Sequence, residues 1–350
     1  MIHDQFKFSA VIPMAWPNMT ARAPEKFLHF LRKIGIMRNI NVLVGHAALL
    51  VVKKDSFIYA DFGRYITPKG FGRTRSATTD PKLILHTIPK WSTEGELMNL
   101  NEVCDELERI SKATHGEDAL YASIMYNVDI SKVLGAIKDF QIKGYVPYSG
   151  LKKSESNCAR FVTTAIMTGL DKNSEIYKRF NNPTTISPTP FFNVVAGNLD
   201  GKYLVWKDGI GNWRKDKPSA ARRDVLIKLS YSFRRKKAKL LPTDIKEGQL
   251  AEPRKPDIIP SQACYLGGIG EGAWHYLEKI DENHLKKVRY FADGHFEYEN
   301  IYEVDAEWIS QFENNSVEIT HDTHFSWITL LNRETKKKQR FYARNSAHRK

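Results

Sequence analysis

The run Asn41-Val-Leu-Val-Gly-His-Ala-Ala-Leu-Leu-Val-Val52 constrains this chain more than any other stretch. A continuous β-rich apolar run of that length marks a strand buried on both faces. Lys53-Lys-Asp55 makes a turn, and Ser56-Phe-Ile-Tyr-Ala-Asp-Phe62 returns as a second strand, so the pair forms a hairpin in the middle of a sheet. Two polar residues intrude. His46 follows Gly45, where a missing side chain leaves room for another backbone or a ligand, and Asp61 sits in apolar surroundings on the returning strand. A tight turn places Asp61 near the level of His46, one position or a diagonal away, with Tyr59 on the same face as Asp61 by the period of two. A histidine in a strand is most often a satisfied core residue. A carboxylate beside it changes the balance, because a buried Asp needs a partner and the two suit a base and its orienter.

A nucleophile for such a base lies a hundred residues on, in Ser154-Glu-Ser-Asn-Cys-Ala-Arg-Phe-Val-Thr-Thr-Ala-Ile-Met-Thr-Gly169. Ser156 and Asn157 are capping residues, the apolar run behind them is helical, and Gly169 closes it. Cys158 therefore opens a helix, where unpaired N–H groups and the positive end of the dipole favour thiolate. The bland reading is a half-buried structural cysteine.

The rest of the chain alternates helices and strands. Residues 8–17 read as an edge strand or extended arm broken by Pro13 and Pro17, and 24–34 as a helix. The stretch 63–80 is rich in Gly, Arg and Thr, and reads as a basic loop at the mouth of a site, with Arg64, Arg73 and Arg75 placed to hold an anionic part of a substrate. Leu83–Ile88 reads as a strand. Residues 94–113 form an amphipathic helix whose inner stripe includes Cys104, and 129–142 form another. Strand-like pieces follow at Phe191–Val195, Tyr203–Trp206 and Val225–Leu229. Residues 233–262 combine a basic run with four prolines and read as an exposed linker. Beyond it, six short alternating segments imply a small antiparallel β domain, with Ala292-Asp-Gly294 as one hairpin turn. His321 and His324 flank another turn there without a third metal ligand.

Three widely spaced cysteines among 350 residues exclude a disulfide scaffold or a Cys-based zinc site, and a reducing compartment fits. The first residues lack a signal-peptide pattern and no apolar run approaches the ~20 residues of a membrane span, so the expected location is cytoplasmic. Much of the net charge of +13 lies in Arg234-Arg-Lys-Lys-Ala-Lys239 and Lys336-Lys-Lys-Gln-Arg340. Such runs can meet nucleic acid, anionic lipid or an acidic polymer, but they read first as solvated faces. No nucleic-acid-binding signature accompanies them, and nucleic acid is disfavoured as a partner.

The order of these pieces resembles the circularly permuted papain-like fold of the NlpC and lecithin:retinol acyltransferase group, in which the base precedes the nucleophile. Asn157-Cys-Ala-Arg-Phe-Val162 fits that group's Asn-Cys-x-x-Phe-Val pattern, and Gly45-His-Ala-Ala-Leu-Leu fits its base-bearing strand. Asp61-Phe-Gly-Arg-Tyr65 and Gly267-Gly-Ile-Gly-Glu-Gly-Ala-Trp274 are similar to an uncharacterised bacterial family. The chain departs from the group where Asp61 and Tyr59 compete for the third role, and where Arg160 replaces a polar or histidine residue after Asn-Cys-x. The resemblance, over roughly residues 10–230, implies a permuted papain-like antiparallel sheet with helices for the domain 1–232; with the linker 233–262 and the all-β domain 263–350 read above, the expected fold class is α+β. The resemblance also implies a thiol hydrolase of amide or related acyl bonds, with cell-wall peptides as candidate substrates and no metal or organic cofactor. Cys158 would be the nucleophile, His46 the base and Asp61 the orienter, with the Cys158 N–H, Asn157 or Tyr148 at the oxyanion and Tyr59 as alternative third residue. Acyl transfer to lipid uses the same residues. The alternative from another class is a catalytically silent or accessory binding protein whose basic tracts meet an acidic partner.

Overall fold

The computed structural model describes residues 6–23, 25–242 and 250–344. In chain order the elements are β1 (Ala10–Trp16), β2 (Thr20–Arg22), α1 (Lys26–Lys33), β3 (Asn41–Leu43), β4 (His46–Val52), β5 (Phe57–Gly63) and β6 (Phe71–Ser76). Next come α2 (Leu100–Arg109), α3 (Ser111–Thr114), β7 (Leu120–Ala122), α4 (Ile130–Ile142), β8 (Val146–Pro147), α5 (Cys158–Gly169), α6 (Glu175–Asn181) and α7 (Pro190–Ala196). They are followed by β9 (Lys202–Lys207), β10 (Ile210–Lys215), α8 (Pro218–Tyr231), α9 (Arg235–Ala238), β11 (Cys264–Gly267), β12 (Gly272–Asp281), β13 (His284–Phe291) and β14 (Phe296–Glu303). The described chain closes with α10 (Ala306–Glu313), β15 (Val317–Ile319), β16 (Trp327–Asn332) and β17 (Lys338–Tyr342). The fold is α+β: a large antiparallel sheet with helices, then a small C-terminal β unit.

The described residues fall into two compact units. One lies within Met1–Phe62, Lys82–Ile142 and Pro147–Lys246, the other within Gly63–Pro81, Lys143–Val146 and Glu247–Lys350. Of the basic, proline-rich stretch 233–262, residues 243–249 lie outside the described residues, and 235–238 form the short α9.

Within the first unit the sheet runs β10-β9-β7-β1-β4-β5, every neighbour antiparallel. The hairpin read from Asn41–Phe62 is its centre, as β4 and β5. Its unbroken apolar run follows from cover on both sides. Tyr59, Ala48 and Leu50 pack against Val103, Cys104 and Leu107 of α2, whereas Phe62, on the opposite face, stacks on Phe161 of α5 (6.1 Å).

Strand β1 corrects the expectation of an edge strand. All seven of its residues are buried, and it lies between β4 and β7. Pro13 is tolerated there because its missing N–H faces the short β7 side, where Ser123 N–H makes only a long 3.4 Å bond to the Pro13 carbonyl. Three further expected strands are absent for visible reasons. At 83–88 the backbone N–H groups of His86 and Thr87 donate to the carboxylate of Glu106 (2.7 and 2.9 Å), not to a ladder. Phe191–Val195 is helical within α7, because Thr189 accepts the Phe192 N–H and Pro190 occupies the first turn. Val225–Leu229 lies inside α8, which Pro218 likewise opens. The helix expected over 94–113 starts later, as α2 and α3.

In the second unit β11–β14 form one antiparallel sheet and β15–β17 another. Five of the six expected segments coincide with β12, β13, β14, β15 and β16 to within three residues at each end, and the sixth with β17. The sequence reading missed β11 and the helix α10. Leu285, Tyr302, Trp308 and Ile328 anchor the core, which Ile66 of the preceding segment joins. Beside it lies a buried ion cluster. Arg73 makes two bonds to Asp80 (2.8 and 2.5 Å), and Arg289 forms ion pairs with Glu297 (2.8 Å), Glu271 (3.4 Å) and Asp80 (3.7 Å). Burial pushes the Asp80 carboxyl up, but Arg73, Arg75 and Arg289 outweigh that and hold it well below the usual carboxylate range.

Candidate active site

Cys158 begins α5, and the local sequence explains why the helix starts there. Asn157 has extended backbone and its Oδ1 accepts the Arg160 N–H at 2.9 Å, a cap worth about 1 kcal/mol. The same side chain donates through Nδ2 to the Ser149 carbonyl (3.0 Å) and to Ser187 Oγ (3.3 Å). Asn157 thus ties the helix start to the loops on either side of it. The far end is fixed by Gly169, where a Cβ would come within 2.6 Å of the Asp129 carbonyl ahead of α4. Glycine is required there for close approach rather than for a left-handed cap.

Gly45 positions the histidine. Its φ is +77° and a Cβ would fall 2.9 Å from the Trp16 carbonyl, so the backbone turns tightly into β4 only with glycine. His46 is the first residue of β4, paired with Trp16 of β1. Asp61 pairs with Ala48, which puts it diagonally across from His46 on one face, as the alternation requires.

These residues meet. His46 Nε2 lies 3.4 Å from Asp61 Oδ2, and Tyr59 Oη donates to the same oxygen at 2.9 Å. The longer distance is a weak hydrogen bond, and the shorter one ties Asp61 to Tyr59. The competition between Tyr59 and Asp61 resolves into a series: Tyr59 touches Asp61, and Asp61 touches His46. The His46 side chain also hydrogen-bonds Cys158, and with Nε2 turned to Asp61, Nδ1 is the nitrogen left for the sulfur. Asp61 and Tyr59 are fully buried, and the His46 side chain is 14% exposed.

The electrostatics favour charge separation. Burial lowers the affinity of His46 for a proton, but the hydrogen bonds and charges of Asp61 and Cys158 outweigh it, raising the pKa from 6.5 to about 9. Burial pushes the Cys158 thiol up, yet the hydrogen bond and charge of His46, with the backbone N–H groups of Ala47 and Ala159, hold it below its ordinary value. Both shifts, and the position of Cys158 at the positive end of a helix, favour a thiolate beside an imidazolium. The other thiols go the opposite way. Cys104 is buried in the α2 core and pushed far up. Cys264 is exposed, but its sulfur turns toward the His275 carbonyl (3.6 Å) and desolvation raises it to about 11.

The remaining candidates are placed as follows. The Tyr148 ring stacks on Phe62 at 5.9 Å, and Phe62 also stacks on Phe161 of α5, the helix that Cys158 opens. Arg73 is buried and committed to Asp80 within the second unit, so it is not an open contact for an anionic substrate. Arg64, in the same unit, accepts the Gly270 N–H at its carbonyl. Arg160 donates to the carbonyls of Lys152 and Glu155 and to Ser187 Oγ, bracing the loops before and after α5. Sequence reasoning missed Trp16, whose ring stacks on His46 with centroids 5.8 Å apart. Its signal was the strand pairing of 8–17 with 46–52, which an edge-strand reading hid. Among the described residues no cluster of His, Cys, Asp and Glu could hold a metal ion; His321 Nε2 bonds the Gly267 carbonyl and His324 Nδ1 accepts from Ser326. No helix among them is long and apolar enough to cross a membrane.

Two family models match the chain. Residues 11–175 match a family described as type VI secretion system effector TseH-like, and residues 263–341 match the DUF6695 C-terminal domain. The first match runs from within β1 through α5, and so includes Trp16, His46, Tyr59, Asp61, Asn157 and Cys158. It supports a coarse reading as a papain-like cysteine hydrolase. No curated protein and no solved structure matches the chain.

Proposed function

We propose that this protein is a cysteine amidase or peptidase acting through Cys158, His46 and Asp61, and that it serves as a type VI secretion effector. The observation that carries the reading is the series Tyr59–Asp61–His46 (2.9 and 3.4 Å) reaching Cys158 at the start of α5, with the Cys158 thiol held low and the His46 ring raised to about 9. The family description of residues 11–175 supports the effector role.

In the proposed reaction the Cys158 thiolate attacks the acyl carbon of an amide, and the carbonyl π electrons move onto oxygen. The Cys158 N–H, which has no acceptor inside its own helix, faces that oxyanion from the first turn of α5. His46 gives its proton to the leaving nitrogen as the C–N bond breaks, leaving a thioester on Cys158. A water then loses a proton to His46 and attacks the thioester, and the thiolate departs with its electron pair, restoring the starting pair. Asp61 holds the ring and favours its charged form, while Tyr59 holds Asp61. Acyl transfer differs only in the second nucleophile. The first inference is tested by incubating the protein and Cys158→Ala with isolated cell-wall peptides and following new amine termini. Release by the wild type alone supports amidase action. Capture of a thioester that water does not release, but a lipid amine or alcohol does, assigns acyl transfer.

A further inference from the structure

Helix α1 carries an unusual surface. Phe27, Phe30 and Ile34 lie within about 60° of arc on one side of it, and all are exposed, Phe27 at 63% and Phe30 at 56%. The adjoining side does the packing: Leu28 and Leu31 rest on a small cluster with Met37, Ile40, Val42 and Leu229 of α8. The outward apolar stripe is flanked by exposed Lys26 and Lys33. A helix needs an apolar side to fold onto its own protein, and on this one the apolar face continues past the packed residues to Phe27, Phe30 and Ile34, which have no such role.

The stripe does not stand alone. The loop after α1 is tied to the end of α8 and to α9 by Arg38 N–H and Asn39 N–H to the Ser232 carbonyl (2.7 and 3.2 Å), and by Asn39 Nδ2 to the Ala238 and Pro242 carbonyls (3.3 and 2.8 Å). That joins the helix to Arg234-Arg-Lys-Lys-Ala-Lys239, whose five basic residues are exposed beside exposed Phe233 and Leu240. Residues 26–41 contain four Lys or Arg and residues 225–242 six, of which Lys228 is ion-paired with Asp224 (2.8 Å); Glu25 and Asp224 are the acids that border the two segments.

We infer that this face, formed by α1 and the α8–α9 segment, docks on an anionic lipid bilayer. Bulky aromatic and aliphatic side chains interleaved with lysine and arginine match an interface whose surface is negative and whose interior is apolar. A polyanion such as nucleic acid satisfies the charges but leaves Phe27, Phe30 and Leu240 in water. The inference is independent of the hydrolase chemistry, since none of these residues touches Cys158, His46 or Asp61. It also gives the basic tract of 234–239 a role beyond that of a solvated spacer.

Sedimentation of the full-length protein with vesicles tests it. Vesicles of phosphatidylcholine containing about one third phosphatidylglycerol should pellet the protein, and phosphatidylcholine alone should not. A Phe27→Ser/Phe30→Ser variant should partition about tenfold or more weakly, because each phenylalanine loses its burial in the interface. A variant with all five basic residues of 234–239 changed to Gln should lose at least as much, and added salt should mimic it. Unchanged thermal melting and unchanged Cys158 alkylation show that both variants are folded. The inference is overturned if the protein ignores lipid charge or if no vesicle binds it. It is equally overturned if the Phe variant binds like the wild type while heparin or an oligonucleotide competes fully, which assigns the face to a soluble polyanion.

Discussion

Trp16 and His46 oppose each other across the β1–β4 pair, and their rings stack with planes 20° from parallel. The indole is 2% exposed, so it forms a fixed wall against which the imidazole keeps one orientation. Trp16→Ala should cost about 3–5 kcal/mol of stability from the cavity alone. It should also slow alkylation of Cys158 in the protein that remains folded, because His46 then swings. Trp16→Phe should recover most of both in denaturant titrations and labelling rates.

Cys158 should be the thiol that reacts first. Iodoacetamide should label it at a pH below the ordinary thiol value of ~8.5, while Cys104 and Cys264, both pushed up, lag. Mass spectrometry of timed samples separates the three. Equal rates at the three positions would refute an activated Cys158.

Asp61→Asn keeps the shape and removes the charge behind His46. Amide hydrolysis should fall by about a hundredfold or more, and the raised His46 value should drop toward 6.5. Tyr59→Phe removes one bond to Asp61 and should cost about 1 kcal/mol, less than tenfold in rate. Because the two act in series, the double variant should be little worse than Asp61→Asn.

The pH dependence follows from the same pair. Activity should rise as Cys158 ionises, below the usual thiol range, and fall as His46 loses its proton near 9. Stability has a related slope. The folded value of His46 lies above its ordinary 6.5, so its contribution is complete below that pH and is lost as pH rises through about 9. Thermal melts of the protein and of a His46→Gln variant between pH 6 and 10 should converge at the alkaline end.

Asp80 carries the opposite sign. Its folded value is depressed, so its contribution is present above the ordinary 3.8 and disappears as pH falls toward the folded value. Asp80→Asn leaves Arg73 and Arg289 buried without their shared carboxylate and should cost about 3–5 kcal/mol. Urea titration followed by the buried Trp274, Trp308 and Trp327 reads that loss in the second unit.

The hairpin centre and the meeting of His46 with Asp61 were legible because period-2 alternation fixes which residues share a face. The start of α5 was legible because Asn157 is a cap by residue type. What escaped the sequence depends on distant partners. The 83–88 segment looks like a strand until Glu106, on α2, takes its N–H groups. Phe191–Val195 is β-rich in composition, yet the cap Thr189 and the proline after it decide for helix. Arg73 looked like a substrate contact because a guanidinium in a glycine-rich loop resembles an open clamp. Its carboxylate partner was seven residues away, at Asp80, where spacing alone gives no hint of pairing.

The strand that bears Asp61 runs directly into Gly63–Pro81, a segment that belongs with Lys143–Val146 and Glu247–Lys350. The C-terminal unit therefore cannot be exchanged as a cassette. Removing it by a stop codon strands Arg73, Arg75 and Asp80 without Arg289, their partner in the buried ion cluster. Grafting 263–341 onto another protein leaves Arg289, Glu271 and Glu297 with no Asp80 to complete them. The C-terminal unit is thus knitted from both ends of the chain rather than strung on its tail, and a lesion far out in the tail is felt by residues encoded before position 82.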